Sequence, residues 1–311
     1  MSKRLAWSRA GFMRRVGMAS GDALFVIVEG RDHDRLFYGE LCESSSKLTS
    51  AGYQIRMVEQ TQKAGSGGKD AVLAFYREAR ARRRLTIDMG AGKKRLAFCV
   101  DNDGDELIGL TVKSPNLIYT HMHDVEAEIF AVGQLMPSLG LALGLDRKAA
   151  GIIASGLGYW IDELSAHWDE WIRLCVLAKA TRSRCSVGYG KPSAINSGFT
   201  GDPDYTRIAG LRAEIEEGSL LSAEDFAAKE SDIRAAFDDL VKGGGARRLV
   251  KGRWMRQYLV ARVSEMTTES SEIRVKLNGV DNRLVSSFAA CMDLGTDSAV
   301  RTIRRLERLV G

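Results

Sequence analysis

Three carboxylates fall within five residues in Val100-Asp101-Asn102-Asp103-Gly104-Asp105, directly after the apolar run Leu96-Ala97-Phe98-Cys99-Val100. Acids crowded this closely repel one another, and a hard divalent cation bound among them turns the repulsion into attraction. A fourth acid, Glu29, ends a second apolar run, Leu24-Phe25-Val26-Ile27-Val28, and is followed by Gly30, which leaves room for an approaching ligand. Magnesium or manganese chemistry on phosphate esters is the reaction class such a set could serve. Asp101 and Asp103 alternate, so if the strand persists through them they face the same way and can share one ion, with Asp105 close enough to join. Further on, His123-Asp124-Val125-Glu126-Ala127-Glu128 offers Asp124 or Glu126 as a ligand for a second ion. Those acids also have a plain structural role, with Asp124 as a helix N-cap and Glu126 in the first turn, where the helix dipole favours negative charge.

Other readings of these motifs meet the letters unevenly. Counted from Asp101, a calcium-binding EF-hand loop needs glycine sixth and glutamate twelfth, and the chain has Glu106 and Val112. A haloacid-dehalogenase-like phosphatase carries DxDGT, and Asp105 stands in place of the threonine; it is kept as an alternative. A response-regulator receiver needs a different order of acids. Gly65-Ser66-Gly67-Gly68-Lys69 is not a P-loop, because Lys63 stands where its first glycine belongs and Asp70 replaces Ser/Thr. As a strand-to-helix turn it could still offer N–H groups to a phosphate. Cys42, Cys99, Cys175, Cys185 and Cys291 form no CxxC pair and read as reduced, mostly buried thiols. The four histidines show no zinc-ligand spacing with them.

The elements that must position these residues alternate over the first part of the chain. Ala23–Val28, Tyr53–Val58, Leu96–Val100 and Leu117–Thr120 read as strands; Asp32–Cys42, Lys69–Arg84 and a segment opening at Asp124 read as helices. This alternation predicts an α/β fold built on a mostly parallel, Rossmann-like sheet flanked by helices. In such sheets ligands bind beyond the carboxyl ends of the strands, where Glu29 and Asp101 stand. After about residue 135 the pattern becomes helical, which divides the chain into a catalytic domain, 1–135, and a helical C-terminal region, 136–311. In that region Trp160, Leu164, Trp168, Trp171 and Cys175 recur at helical spacing over 160–177, as core residues do. Residues 182–204 read as a long loop, and further helices are expected over 211–217, 223–242, 249–265 and 296–309.

With 311 residues, 45% hydrophobic and 27% charged, the composition is that of a globular protein, and no apolar run reaches the ~18 residues of a membrane span. The segment Met1–Trp7 has no apolar core or cleavage site, so a cytoplasmic location is expected. The net charge of +5 permits an anionic partner. Arg77, Arg80, Arg82, Arg83, Arg84, Lys93, Lys94 and Arg95 cluster ahead of the acidic loop. Candidate nucleic-acid contacts are Lys69, Arg83, Arg84, Lys93, Lys94 and Arg253.

Val28-Glu29-Gly30-Arg31-Asp32, then Val100-Asp101-Asn102-Asp103, then Tyr119-Thr120-His121-Met122-His123-Asp124-Val125-Glu126 together resemble the Toprim (topoisomerase–primase) domain. The third element narrows the resemblance to the Toprim-like domains of overcoming-lysogenization-defect nucleases, and more closely to the Toprim effector subunit of PARIS-type phage-defence systems. The resemblance covers about residues 20–135. It implies a magnesium-dependent nuclease, often dimeric, with tRNA as a substrate of the defence effectors and an ATPase partner holding it inactive. Carried over by residue, it implies Glu29 as the catalytic glutamate, Asp101 and Asp103 as the metal-binding pair, Glu126 as the later acid and Arg253 as a C-terminal basic residue. A homodimer is therefore expected. The alternative of a different class is a non-catalytic Toprim-like module that docks an ATPase.

Overall fold

The computed structural model describes residues 8–19, 21, 23–30, 32–58, 68–88, 92–190, 202–269 and 277–311. The glycine turn at 65–67 and residues 191–201 of the long loop lie outside them. In chain order the elements are α1 (Arg9–Met18), β1 (Leu24–Val28), α2 (His33–Glu43), α3 (Ser46–Ala51), β2 (Tyr53–Met57), α4 (Lys69–Ala81), β3 (Thr86–Asp88), β4 (Lys93–Val100) and β5 (Leu117–Tyr119). There follow α5 (Val125–Val132), α6 (Leu135–Leu143), α7 (Arg147–Leu157), α8 (Trp160–His167), α9 (Asp169–Thr181), α10 (Tyr205–Gly218), α11 (Ala223–Lys242), α12 (Gly252–Glu269), α13 (Val280–Ala290) and α14 (Asp297–Val310). The fold is α/β, a mostly parallel sheet flanked by helices with a helical C-terminal region. No helix among the described residues is long and apolar enough to cross a membrane.

The chain divides into two compact units, each discontinuous in sequence. A sheet unit comprises Met1–Asp101, Val112–His121 and Met292–Gly311, and a helical unit comprises Asn102–Thr111 and Met122–Cys291.

In the sheet unit the strand order is β2-β1-β4-β3, with β5 also paired to β4. β1 is parallel to both β2 and β4, in the registers Val28↔Met57 and Ile27↔Phe98; β5 is parallel to β4, and only β3 runs antiparallel. All five residues of β1 are buried, because helices cover both faces. That is why β1 and β4 read as continuous apolar runs, where a half-exposed strand would alternate. Phe25, Ile27, Leu96, Phe98 and Val100 share one face and pack with Phe12 of α1 and Phe75 and Tyr76 of α4. The Phe75 and Phe98 rings meet edge to face, 5.3 Å apart. Each large side chain buried there contributes about 1.5–3 kcal/mol. Cys99 points to the opposite face, where burial pushes its thiol well up and the Tyr38 hydroxyl partly opposes this. α14 joins this unit: Arg305 donates to the Leu117 carbonyl of β5 at 2.7 Å, and Glu307 accepts from the Ser45 hydroxyl at 2.7 Å.

In the helical unit the tryptophans are core residues, as their spacing suggests. Trp168, Trp171 and Trp254 are all fully buried, and Trp168 meets Trp254 edge to face at 5.6 Å. The stretch expected as a single helix over 160–177 is broken at Trp168 into α8 and α9. Trp168 has φ −109° and ψ 22°, outside helical geometry, yet the apolar stripe continues across the break because both helices bury it.

Candidate functional site

Glu29 and Asp101 each follow directly on the last residue of a strand. β1 ends at Val28 and β4 at Val100, and the two strands are parallel neighbours, so both acids stand at carboxyl ends. The structure brings them together. The Asp101 N–H donates to Glu29 Oε1 at 2.8 Å, across 72 residues of sequence. The turn that carries Glu29 is held by Asp34, in the first turn of α2, whose Oδ2 accepts the Gly30 N–H at 2.8 Å. A Cβ on residue 30 would lie 3.3 Å from Asp34 Oδ1, so glycine is what fits there. Lys69, the first residue of α4, donates from Nζ to the Asp101 carbonyl and lies 5.7 Å from the centre of the Tyr119 ring. The Glu29 carboxylate and the Lys69 ammonium thus meet at the backbone of Asp101, at the end of the parallel sheet.

The acidic loop beyond Asp101 belongs to the helical unit. The strand does not persist into it, so the alternation that would turn Asp101 and Asp103 the same way does not apply. Asp103 and Gly104 take φ values of +50° and +74°, and the Asp105 N–H donates to the Asn102 carbonyl at 2.8 Å. Two successive left-handed residues closed by that hydrogen bond make a tight turn of the primed kind, for which Asp-Gly is a preferred pair. Lys179, near the end of α9, fastens the loop. Its Nζ lies 2.6 Å from Asp105 Oδ1 and donates to the Asp103 carbonyl at 2.8 Å. Asp103 also donates its N–H to the His123 carbonyl at 2.8 Å, and its Oδ1 lies 3.8 Å from His123 Nδ1.

Asp124 is the N-cap of α5, as its place in the sequence suggests, and it does more. Its Oδ1 accepts the Ala127 N–H at 2.8 Å and the Gly252 N–H at 3.1 Å, so one buried carboxylate serves the first turns of both α5 and α12. Burial pushes this acid up, but His123, the Ala127 N–H and Lys251 outweigh it and hold it below the usual carboxylate range. Residue 252 must be glycine for the two helix starts to meet. A Cβ there would fall 2.5 Å from Glu126 Cβ and 2.6 Å from Glu126 C, and would also meet the Ala127 nitrogen. Glu126 lies 3.5 Å from Arg256 Nη1. Burial raises its carboxyl to about 7; Asp124 adds to the rise, and Arg256, Lys251 and Arg253 oppose it.

Of the basic residues singled out from sequence, Lys69 stands at the Glu29–Asp101 pair. Arg83, Arg84, Lys93 and Arg253 are exposed. Arg83 takes a left-handed φ of +54° just beyond α4, where the Arg84 N–H returns to the Ala79 carbonyl at 2.7 Å. Lys94 is buried, 4% exposed. Sequence reasoning did not single out Lys179, Arg182 or Tyr189, which come from a helix end and the loop after it, and no spacing links them to the acids. Lys251 stands in the Lys251-Gly252-Arg253 segment, which the sequence offers as a phosphate contact.

Magnesium is the ion that the donor chemistry suits. Among the described residues no three His, Cys, Asp or Glu side chains converge as a ready-made metal cluster. Magnesium does not require one, since it is commonly held by one or two carboxylates, with waters and substrate phosphate completing its shell. Glu29 and Asp101 supply hard oxygen donors of that kind, and the contact between them runs from the Asp101 N–H to Glu29 Oε1. Comparison with protein-family models, with curated proteins and with solved structures gave no match to this chain.

Proposed function

We propose that this chain is a magnesium-dependent nuclease that hydrolyses phosphodiester bonds in nucleic acid. The observation that carries the reading is the hydrogen bond from the Asp101 N–H to Glu29 at the carboxyl ends of two adjacent parallel strands. Ligands bind at that edge of an open α/β sheet. Glu29 and Asp101 would hold the ion. When bound, magnesium supplies Lewis-acid polarisation of a phosphoryl oxygen and activation of water at neutral pH. Glu29 would position the ion or accept a proton from the attacking water. Lys69 puts a positive charge beside the carboxylates, where it offsets their repulsion and can meet a phosphate oxygen.

The Toprim resemblance supports nucleic acid, tRNA among others, as the substrate. It also supports an anti-phage defence role in the cytoplasm, a homodimer and control by an ATPase partner. The exposed arginines Arg77, Arg80, Arg82, Arg83 and Arg84 support backbone binding that weakens with salt.

The test is cleavage of end-labelled tRNA and DNA with magnesium or manganese by the wild type, Glu29→Gln and Asp101→Asn. The reading expects cleavage that needs the metal and falls roughly a hundredfold or more in each variant. Equal cleavage by all three proteins would remove these residues from the reaction. A folded wild type that cleaves neither substrate, alone or with the ATPase, would favour the docking module.

A further inference from the structure

A cavity of about 380 Å³ in the helical unit is lined by Lys179, Arg182, Lys251, His123, Tyr189 and Asp103, among others. It is of the size that small-molecule sites have. Three cations line it with Asp103; Lys179 is ion-paired with Asp105 at 2.6 Å and Lys251 acts on Asp124, which leaves Arg182 as the lining cation without a carboxylate partner among the described residues. The side chains of Arg182 and Lys251 make no hydrogen bond or ion pair with the described residues, although the Lys251 charge acts on Asp124 and Glu126. His123 is 1% exposed; its Nδ1 lies 3.5 Å from Asp124 Oδ2 and 3.8 Å from Asp103 Oδ1, and its Nε2 has no hydrogen-bond partner. The Tyr189 hydroxyl is likewise buried without one. Buried polar groups are nearly always satisfied, so groups left open around a cavity mark what it is built to receive. The ring of Tyr189 is not available to a ligand's face. It lies between His123, at 4.3 Å, and Trp254, stacked at 5.5 Å, and this sandwich fixes where the hydroxyl points.

These groups share one property: each can donate a hydrogen bond. An anionic occupant that only accepts, through several oxygens, matches them. A phosphomonoester has three terminal oxygens and a charge near −2 at neutral pH. A carboxylate has half the charge and one oxygen fewer. We propose that this cavity binds a phosphomonoester group, as carried by a free nucleotide or by the terminus of a nucleic acid. The proposal rests on the helical unit alone and does not depend on hydrolysis by Glu29 and Asp101.

The experiment is calorimetric titration of the full chain in EDTA, at low salt, so that cleavage plays no part. The titrants are one short oligonucleotide carrying a 5′-phosphate, a 3′-phosphate or neither, together with AMP and inorganic phosphate. A terminal phosphate on at least one end is expected to tighten binding roughly tenfold or more, and Arg182→Ala and Lys251→Ala to remove most of that gain. Both variants lie at exposed or half-buried positions, and a melting curve checks each fold. Competition by AMP assigns the site to free nucleotides; a gain that AMP does not compete away assigns it to nucleic-acid ends. Equal affinity for phosphorylated and unphosphorylated oligonucleotides, with no binding of AMP or phosphate, overturns the proposal. So does a gain that survives in both variants.

Discussion

Glu126 holds its proton further into the neutral range than a free glutamate does. Burial raises its carboxyl from 4.5 to about 7 in the folded chain, and the Arg256 guanidinium at 3.5 Å only partly opposes this. The raised acid binds its proton more tightly folded than unfolded, so its favourable contribution is complete below pH 4.5. It is lost as pH rises through about 7. That gap is worth on the order of 3 kcal/mol. Glu126→Gln keeps the shape and removes the ionisation. The melting temperature of the variant is therefore expected to gain on the wild type as pH rises from 5 to 8. A difference that stays flat over this range would show that Glu126 ionises normally. At the same scale, Glu29 and Asp101 were legible because each ends an uninterrupted apolar run. Lys179 was not, because a lysine near a helix end is ordinary, and only the fold shows its ammonium at Asp105.

Among the elements, α5 and α12 depend on one carboxylate. Asp124→Ala would leave the Ala127 and Gly252 N–H groups unpaired in a buried place, at about 1–3 kcal/mol each. Chemical denaturation should show a loss on the order of 3 kcal/mol for the alanine variant and a much smaller one for Asp124→Asn, which keeps the acceptor oxygen. Comparable losses would mean that the charge, not the capping, holds these helices. The central strands β1, β2, β4 and β5 and the helices α2, α4 and α5 could be read in advance, since apolar runs and turn residues bound them. β3 could not: it is three residues, Thr86-Ile87-Asp88, with only Ile87 buried. α1 was hidden because Arg9, Arg14 and Arg15 interrupt its buried residues Phe12, Met13 and Val16. The turn at Asp103-Gly104 was legible and was overridden by the alternation of the acids. Asp-Gly is a turn pair, and it ends the strand's period where the ligands were expected to continue it.

For the molecule as a whole, the sheet unit is completed by residues from the far end of the chain. α14 buries Ala299, Leu306 and Leu309 and bonds through Arg305 to the Leu117 carbonyl. A chain ending at Cys291 is expected to lose a cooperative melting transition or to aggregate, as seen by calorimetry and light scattering; an unchanged transition would show that the sheet is complete without α14. Within that unit, Glu29 and Asp101 are proposed to form one divalent-cation site. Manganese titration followed by electron paramagnetic resonance tests it without any substrate. The wild type is predicted to bind the ion saturably, and Glu29→Gln and Asp101→Asn to weaken it tenfold or more. Binding of equal strength in all three proteins, or none in the wild type, would contradict it.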